Sequence, residues 1–147
     1  MKTLSTFTVI YWILSCWTYG MGISNGLFVP CLLIGAAWGR CVGILLHAYI
    51  PGVEWGDVGK YALMGACAQL AGTVRLTYSL TCIVIEAIGN LTYLFPILTT
   101  VVVAKHMGDI YNKGIYDLHI DLMGIPFQEA AAQVKARFIA ARHVMSA

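Results

Sequence analysis

Residues 26–30, Gly26-Leu27-Phe28-Val29-Pro30, have the types and spacing of a helix N-terminus that can hold an anion. They open a long apolar, glycine-spaced stretch. Proline at the first helical position costs little, because the amide it lacks has no intrahelical partner there. The amides of Leu27, Phe28 and Val29 then point forward, unpaired, from a terminus with positive dipole character. Gly26 leaves the backbone open to something small. Inside an apolar segment, this arrangement binds an anion without a buried lysine.

Other chemistry-bearing residues are scattered. No Gly-x-Ser-x-Gly, phosphate loop, His-Glu-x-x-His or cysteine–histidine pair at metal spacing occurs, so neither an enzyme nor a metal site is expected. His47, His106, His119 and His143 are dispersed and read as capping or surface residues. Glu86 follows Cys82-Ile83-Val84-Ile85, where burial would demand a polar neighbour or protonation. It could carry protons or be a structural hydrogen-bonder near a helix end. Arg40 poses the same problem with opposite sign, met by an ion pair with Glu54 or Asp57 or by snorkelling. Tyr116 begins the short segment Tyr116-Asp117-Leu118-His119-Ile120. It can aim a phenolic donor inward, although by itself it reads as an interfacial aromatic anchor.

The elements that must position these residues are membrane segments. The chain of 147 residues is 59% hydrophobic and 11% charged, with a mean hydropathy of +0.76. Soluble domains carry about 25% charged residues, so an integral membrane protein is expected, with room for one small bundle. The net charge of +2 and the lack of a basic stripe interleaved with aromatics give no sign of nucleic-acid binding. The five cysteines, Cys16, Cys31, Cys41, Cys67 and Cys82, lie in apolar runs and read as small buried packing residues. The amino end imitates a signal peptide, but its apolar run reaches Cys16-Trp17 without an Ala-x-Ala-like site and reads as a membrane segment.

Five apolar stretches cover residues 7–19, 27–50, 61–74, 76–88 and 93–107. Several fall short of the about 20 residues of a simple span, as expected where helices tilt, stop midway or re-enter around a polar site. Gly35, Gly39 and Gly43 share one helix face, so a neighbouring backbone can come close. Gly65 and Gly72, with Ala66, Ala68 and Ala71, give the third segment a similar surface. Arg75, Lys105, Lys113 and the basic tail predict one cytoplasmic side, with linkers 51–59 and 89–92 opposite. Residues 129–147 are alanine-rich, with Val134, Phe138 and Ile139 at helical spacing, and predict a cytoplasmic amphipathic helix or the start of something larger.

Gly26–Pro30, followed by Gly35-Ala36-Ala37-Trp38-Gly39-Arg40, resembles the second anion-binding signature of the CLC chloride channels and transporters. The likeness continues through Lys60-Tyr61-Ala62-Leu63-Met64-Gly65-Ala66 and Gly72-Thr73-Val74-Arg75-Leu76-Thr77. It reaches Ser79-Leu80-Thr81, Ile85-Glu86, Asn90, Thr92-Tyr93, Phe95-Pro96, Ala104-Lys105 and Gly108-Asp109. It closes on Lys113-Gly114-Ile115-Tyr116-Asp117-Leu118-His119. It covers residues 4–127 and is nearest to the endosomal and lysosomal branch. Ala141-Arg142-His143-Val144-Met145-Ser146 resembles the entry to a CBS domain, cut off after its first residues.

The resemblance implies an all-α integral membrane fold, the second half of the CLC inverted repeat, with tilted and partly re-entrant helices. Residues 1–127 would be the last helices of the membrane domain, and 128–147 a cytoplasmic linker with the truncated CBS start. It implies chloride as transported ligand, no cofactor, and chloride/proton antiport in the intact parent. The amides of Leu27, Phe28 and Val29 would be backbone chloride ligands, Gly26 and Pro30 would support that loop, and the Tyr116 hydroxyl would contact the same ion. Amides and a phenol bind a desolvated halide without full positive charge, so it can leave again. Segments 76–88 and 93–107 would meet a second CLC subunit, making Glu86 structural. A multi-pass protein of late endosomal or lysosomal membranes, carboxy terminus cytoplasmic, is expected. Nothing in residues 1–25 matches the family's serine-bearing anion loop, its Gly-Lys/Arg-Glu-Gly-Pro gate or its internal proton glutamate. The expectation is therefore half an anion site, from a fragment or short form, inactive alone. The alternative is a truncated assembly or regulatory subunit pairing with full-length CLC subunits. Asn25 stands where a smaller residue is common and could compete for the Phe28 amide.

Overall fold

The computed structural model describes residues 2–22, 26–49 and 57–125. Every regular element among them is helical: α1 (Lys2–Gly20), α2 (Phe28–Tyr49), α3 (Val58–Val74), α4 (Tyr78–Ile88), α5 (Leu94–Tyr111) and α6 (Ile115–Met123), with a 3-10 turn over Leu91–Tyr93. The chain divides into two compact units, Met1–Ile115 and Tyr116–Ala147. The tail helix and CBS-like start expected after residue 126 lie outside the described residues.

Helix α1 is apolar outside and polar inside. Thr8 is its buried residue, and Val9, Ile10, Trp12, Ile13, Leu14 and Trp17 are all at least half exposed. Thr6, Thr8, Ser15 and Thr18 turn their hydroxyls back onto its own carbonyls, Thr8 Oγ1 donating to Leu4 O at 2.8 Å. A helix this apolar on its exposed side is built for lipid or protein surroundings rather than water. Helix α2 has 22 residues and is long and apolar enough to cross a membrane. At about 1.5 Å per residue it spans the hydrocarbon thickness of a bilayer.

The glycine face of α2 meets α3, where the two backbones touch. A Cβ at Gly35 would lie 2.5 Å from Gly65 O and 2.6 Å from Gln69 Cβ. One at Gly39 would run into Tyr61 O, and one at Gly65 into Gly35 O. The expected close approach therefore occurs, with α3 as partner. Beneath it, Cys31, Cys67, Leu70, Ala71, Leu80, Val84, Ile85, Ile97 and Val101 form the core shared by α2 to α5.

Two corners close the bundle. Helix α4 ends at Gly89, whose φ of 68° suits glycine and whose amide donates to Ile85 O at 2.9 Å. Gly89→Ala has space, since nothing lies within 4 Å of its Cβ position, but carries the left-handed penalty. It should lower stability by about 1–2 kcal/mol in detergent unfolding monitored by circular dichroism. Helix α3 ends at Arg75, with φ 65° and ψ 13°. Its guanidinium donates to Lys105 O (2.8 Å), Asp109 Oδ1 (2.9 Å) and Asn112 O (2.8 Å). Arg75 and the end of α5 thus share one end of the bundle, as the charge distribution predicts.

Two expectations need correction. Cys31, Cys41 and Cys67 are buried, but Cys16 and Cys82 are exposed. An apolar run in a membrane protein has lipid-facing as well as core-facing positions, so hydropathy does not separate them. Glu86 is also exposed. The buried residues of α4 are Leu80, Thr81, Val84 and Ile85, and Glu86 falls on the opposite side with Cys82 and Ile83. It needs no buried partner within this chain.

Candidate functional site: the N-terminus of α2 and Tyr116

The helical ladder of α2 begins with Cys31 N donating to Leu27 O at 3.2 Å. Leu27 is therefore the N-cap, and Pro30 is the third helical position rather than the first. The first turn tolerates proline anywhere its missing amide would have lacked a partner, so the expected economy holds two residues later. The amides of Phe28 and Val29 precede the first rung, and Pro30 offers no donor.

Side-chain burial orients this terminus. Leu27 packs against the core and anchors the turn, whereas Phe28 and Val29 are 42% and 59% exposed. A Cβ at Gly26 would meet nothing within 4 Å among the described residues. Packing among the described residues therefore does not demand a glycine there. Asn25, the expected competitor for the Phe28 amide, lies outside the described residues.

A crevice of about 170 Å³ runs between α1 and this terminus, lined in part by Tyr11, Ser15, Thr18, Tyr19, Gly26 and Leu27. The α1 contribution went unnoticed in the sequence, although positions 11, 15, 18 and 19 recur at the helical period and signal one face. Ser15 Oγ donates to Tyr11 O, and Thr18 Oγ1 to Leu14 O, each at 2.8 Å. Their hydroxyl protons are thus committed to the helix backbone.

Tyr116 is the second residue of α6 and is 60% exposed. It belongs to the second compact unit, Tyr116–Ala147. Asp117 in the first turn of α6 complements the dipole at that end. Arg40 is exposed, as snorkelling requires. Asp57 pairs with Lys60 at 3.9 Å rather than with Arg40, and Glu54 lies outside the described residues.

Residues 1–109 match the Voltage gated chloride channel family. The H(+)/Cl(-) exchange transporter 7 of Homo sapiens is 53% identical over 144 residues, covering 98% of this chain and 18% of that protein. Its Mus musculus counterpart gives the same figures. Chloride channel protein CLC-c of Arabidopsis thaliana is 38% identical over 146 residues, covering 99% of this chain and 18% of that one. The crystal structure of a eukaryotic CLC transporter matches with a TM-score of 0.73 at 32% identity, covering 84% of this chain and 22% of that chain. The chain thus spans less than a fifth of the length of the curated relatives it matches. Its helices have the all-α CLC membrane fold. The chain belongs to the CLC family of voltage-gated chloride channels and transporters.

Proposed function

We propose that this chain supplies half of the chloride site of a chloride/proton exchanger. The amides of Leu27, Phe28 and Val29 and the hydroxyl of Tyr116 hold the dehydrated ion, with Gly26 and Pro30 shaping the loop. The observation that carries this reading is the start of the α2 ladder at Cys31 N, which leaves the Phe28 and Val29 amides ahead of it at an exposed, positively polarised edge. Neutral donors bind a halide firmly enough to select it and loosely enough to release it. Exchange rather than channel behaviour is supported by relatives named as H(+)/Cl(-) exchange transporters.

The protein works as a multi-pass protein of the late endosomal or lysosomal membrane, with residues 1–127 in the membrane domain and 128–147 a cytoplasmic linker with the truncated start of a CBS domain. Arg75 at the C-terminal end of α5 gathers cationic residues at one end of the bundle, which supports a cytoplasmic carboxy terminus. A second CLC subunit meets segments 76–88 and 93–107. Support comes from the exposed Ile83 of α4 and the exposed Phe95, Val103 and Met107 of α5. No cofactor is required by this reading.

The reading is tested in a full-length chimera, the human H(+)/Cl(-) exchange transporter 7 with its aligned segment replaced by this chain. Tyr116→Phe removes one O–H donor to an anion and should weaken chloride binding about tenfold by calorimetric titration. Unchanged affinity would exclude Tyr116 as a ligand.

A further inference from the structure

Arg75 stands where a glycine would be cheaper. Among the described residues it is the non-glycine with positive φ; the other positive-φ positions are Gly89 and Gly124. A side chain kept in left-handed backbone marks a constraint imposed by something other than the turn itself. Here the side chain reaches three acceptors, and only 12% of it is exposed. Its Nε is buried without a hydrogen-bond partner, so the arrangement carries a second cost that a stability-only cap would avoid.

The acceptors lie on both sides of one corner. Lys105 O and Asp109 Oδ1 belong to the last turns of α5, whereas Asn112 O is on the first residue beyond it. Asn112 is extended, with φ −151° and ψ 161°, and its amide still donates to Gly108 O at 3.0 Å. The guanidinium therefore bridges the helix end and the connector 112–114, from which α6 and Tyr116 follow. Gly108 makes room for it: a Cβ there would run into Nη1 and lie 2.6 Å from Cζ. A planar fork with several donors can hold helix and connector together, whereas a lysine ammonium lacks that fixed geometry.

We propose that Arg75 is a positioning residue for Tyr116: by fixing the corner at Asn112 it sets the chloride affinity of a site it does not touch. The proposal rests on Tyr116 being a chloride ligand. The experiment is a double-mutant cycle in the full-length chimera, read by chloride calorimetry, with thermal unfolding alongside. Arg75→Gly removes the fork while easing the backbone, and should weaken chloride binding about tenfold. In a Tyr116→Phe background the same change should add less than about twofold, because the contact it positions has gone. Arg75→Lys should restore only part of the loss. If Arg75→Gly does not fold, Gly108→Ala, which displaces the guanidinium, carries the same cycle with the same expectation. Unchanged affinity, or a loss that adds in full to that of Tyr116→Phe, overturns the positioning role and leaves the Tyr116 reading standing. Unchanged affinity in Tyr116→Phe itself overturns both.

Discussion

Phe28→Pro should weaken chloride binding about tenfold to a hundredfold, while Phe28→Ala should change it by less than about threefold. The two substitutions separate the amide from the ring. Both delete the aromatic side chain, which is 42% exposed, but only proline deletes the N–H. Phe28 is the first helical residue, where proline is well accommodated, and the preceding Leu27 is the N-cap, whose usual extended backbone suits a following proline. The helix should therefore survive with one donor fewer. A hydrogen bond to an ion contributes about 1.5–3 kcal/mol, which sets the expected range. Val29→Pro is a poorer probe, because proline there disfavours the α region for the helical Phe28 before it. Calorimetry of the full-length chimera reads all three variants. Equal affinities for Phe28→Pro and Phe28→Ala would remove the amide from the site.

Two substitutions to the same residue type in α3 should move stability in opposite directions. Gly65→Ala should destabilise the bundle by about 1–3 kcal/mol, and Gly72→Ala should stabilise it by up to about 1 kcal/mol. At Gly65 the new methyl would run into Gly35 O and lie 2.7 Å from Gly39 Cα, both backbone atoms that cannot rotate away. Helices α2 and α3 would have to part along their whole glycine face. In lipid that contact is held by close van der Waals packing, with little hydrophobic drive to compensate for lost fit. At Gly72 nothing lies within 4 Å, so alanine adds helix propensity without a clash. Thermal unfolding in detergent, followed by circular dichroism, should show the opposite shifts. Two shifts of the same sign would mean that the α2–α3 contact is looser than the structure has it.

The parts legible in the sequence are those governed by local pattern. The four-residue spacing of Gly35, Gly39 and Gly43 announced a close helix contact, and Gly65 on α3 supplies its other side. The start of a helix after Gly26 was legible, but the position of Pro30 within its first turn was not. Every amide in a first helical turn lacks a partner, so proline preference alone does not fix the starting residue. Arg75 was readable as a charge at a segment end and no further, because its acceptors lie 30 to 37 positions downstream. The exposure of Cys16, Cys82 and Glu86 was hidden for another reason. In a membrane segment the lipid face and the protein face are both apolar, and hydropathy does not mark which is which.

The central claim is that chloride sits against the α2 amides and the Tyr116 hydroxyl. Bromide is a close stand-in with a strong anomalous signal, so bromide-soaked crystals of the full-length chimera test the claim directly. The expected result is one anomalous peak within hydrogen-bond distance of the Phe28 or Val29 amide and of Tyr116 Oη, lost in Phe28→Pro. A peak confined to other residues, or one that Phe28→Pro leaves at full height, would contradict it.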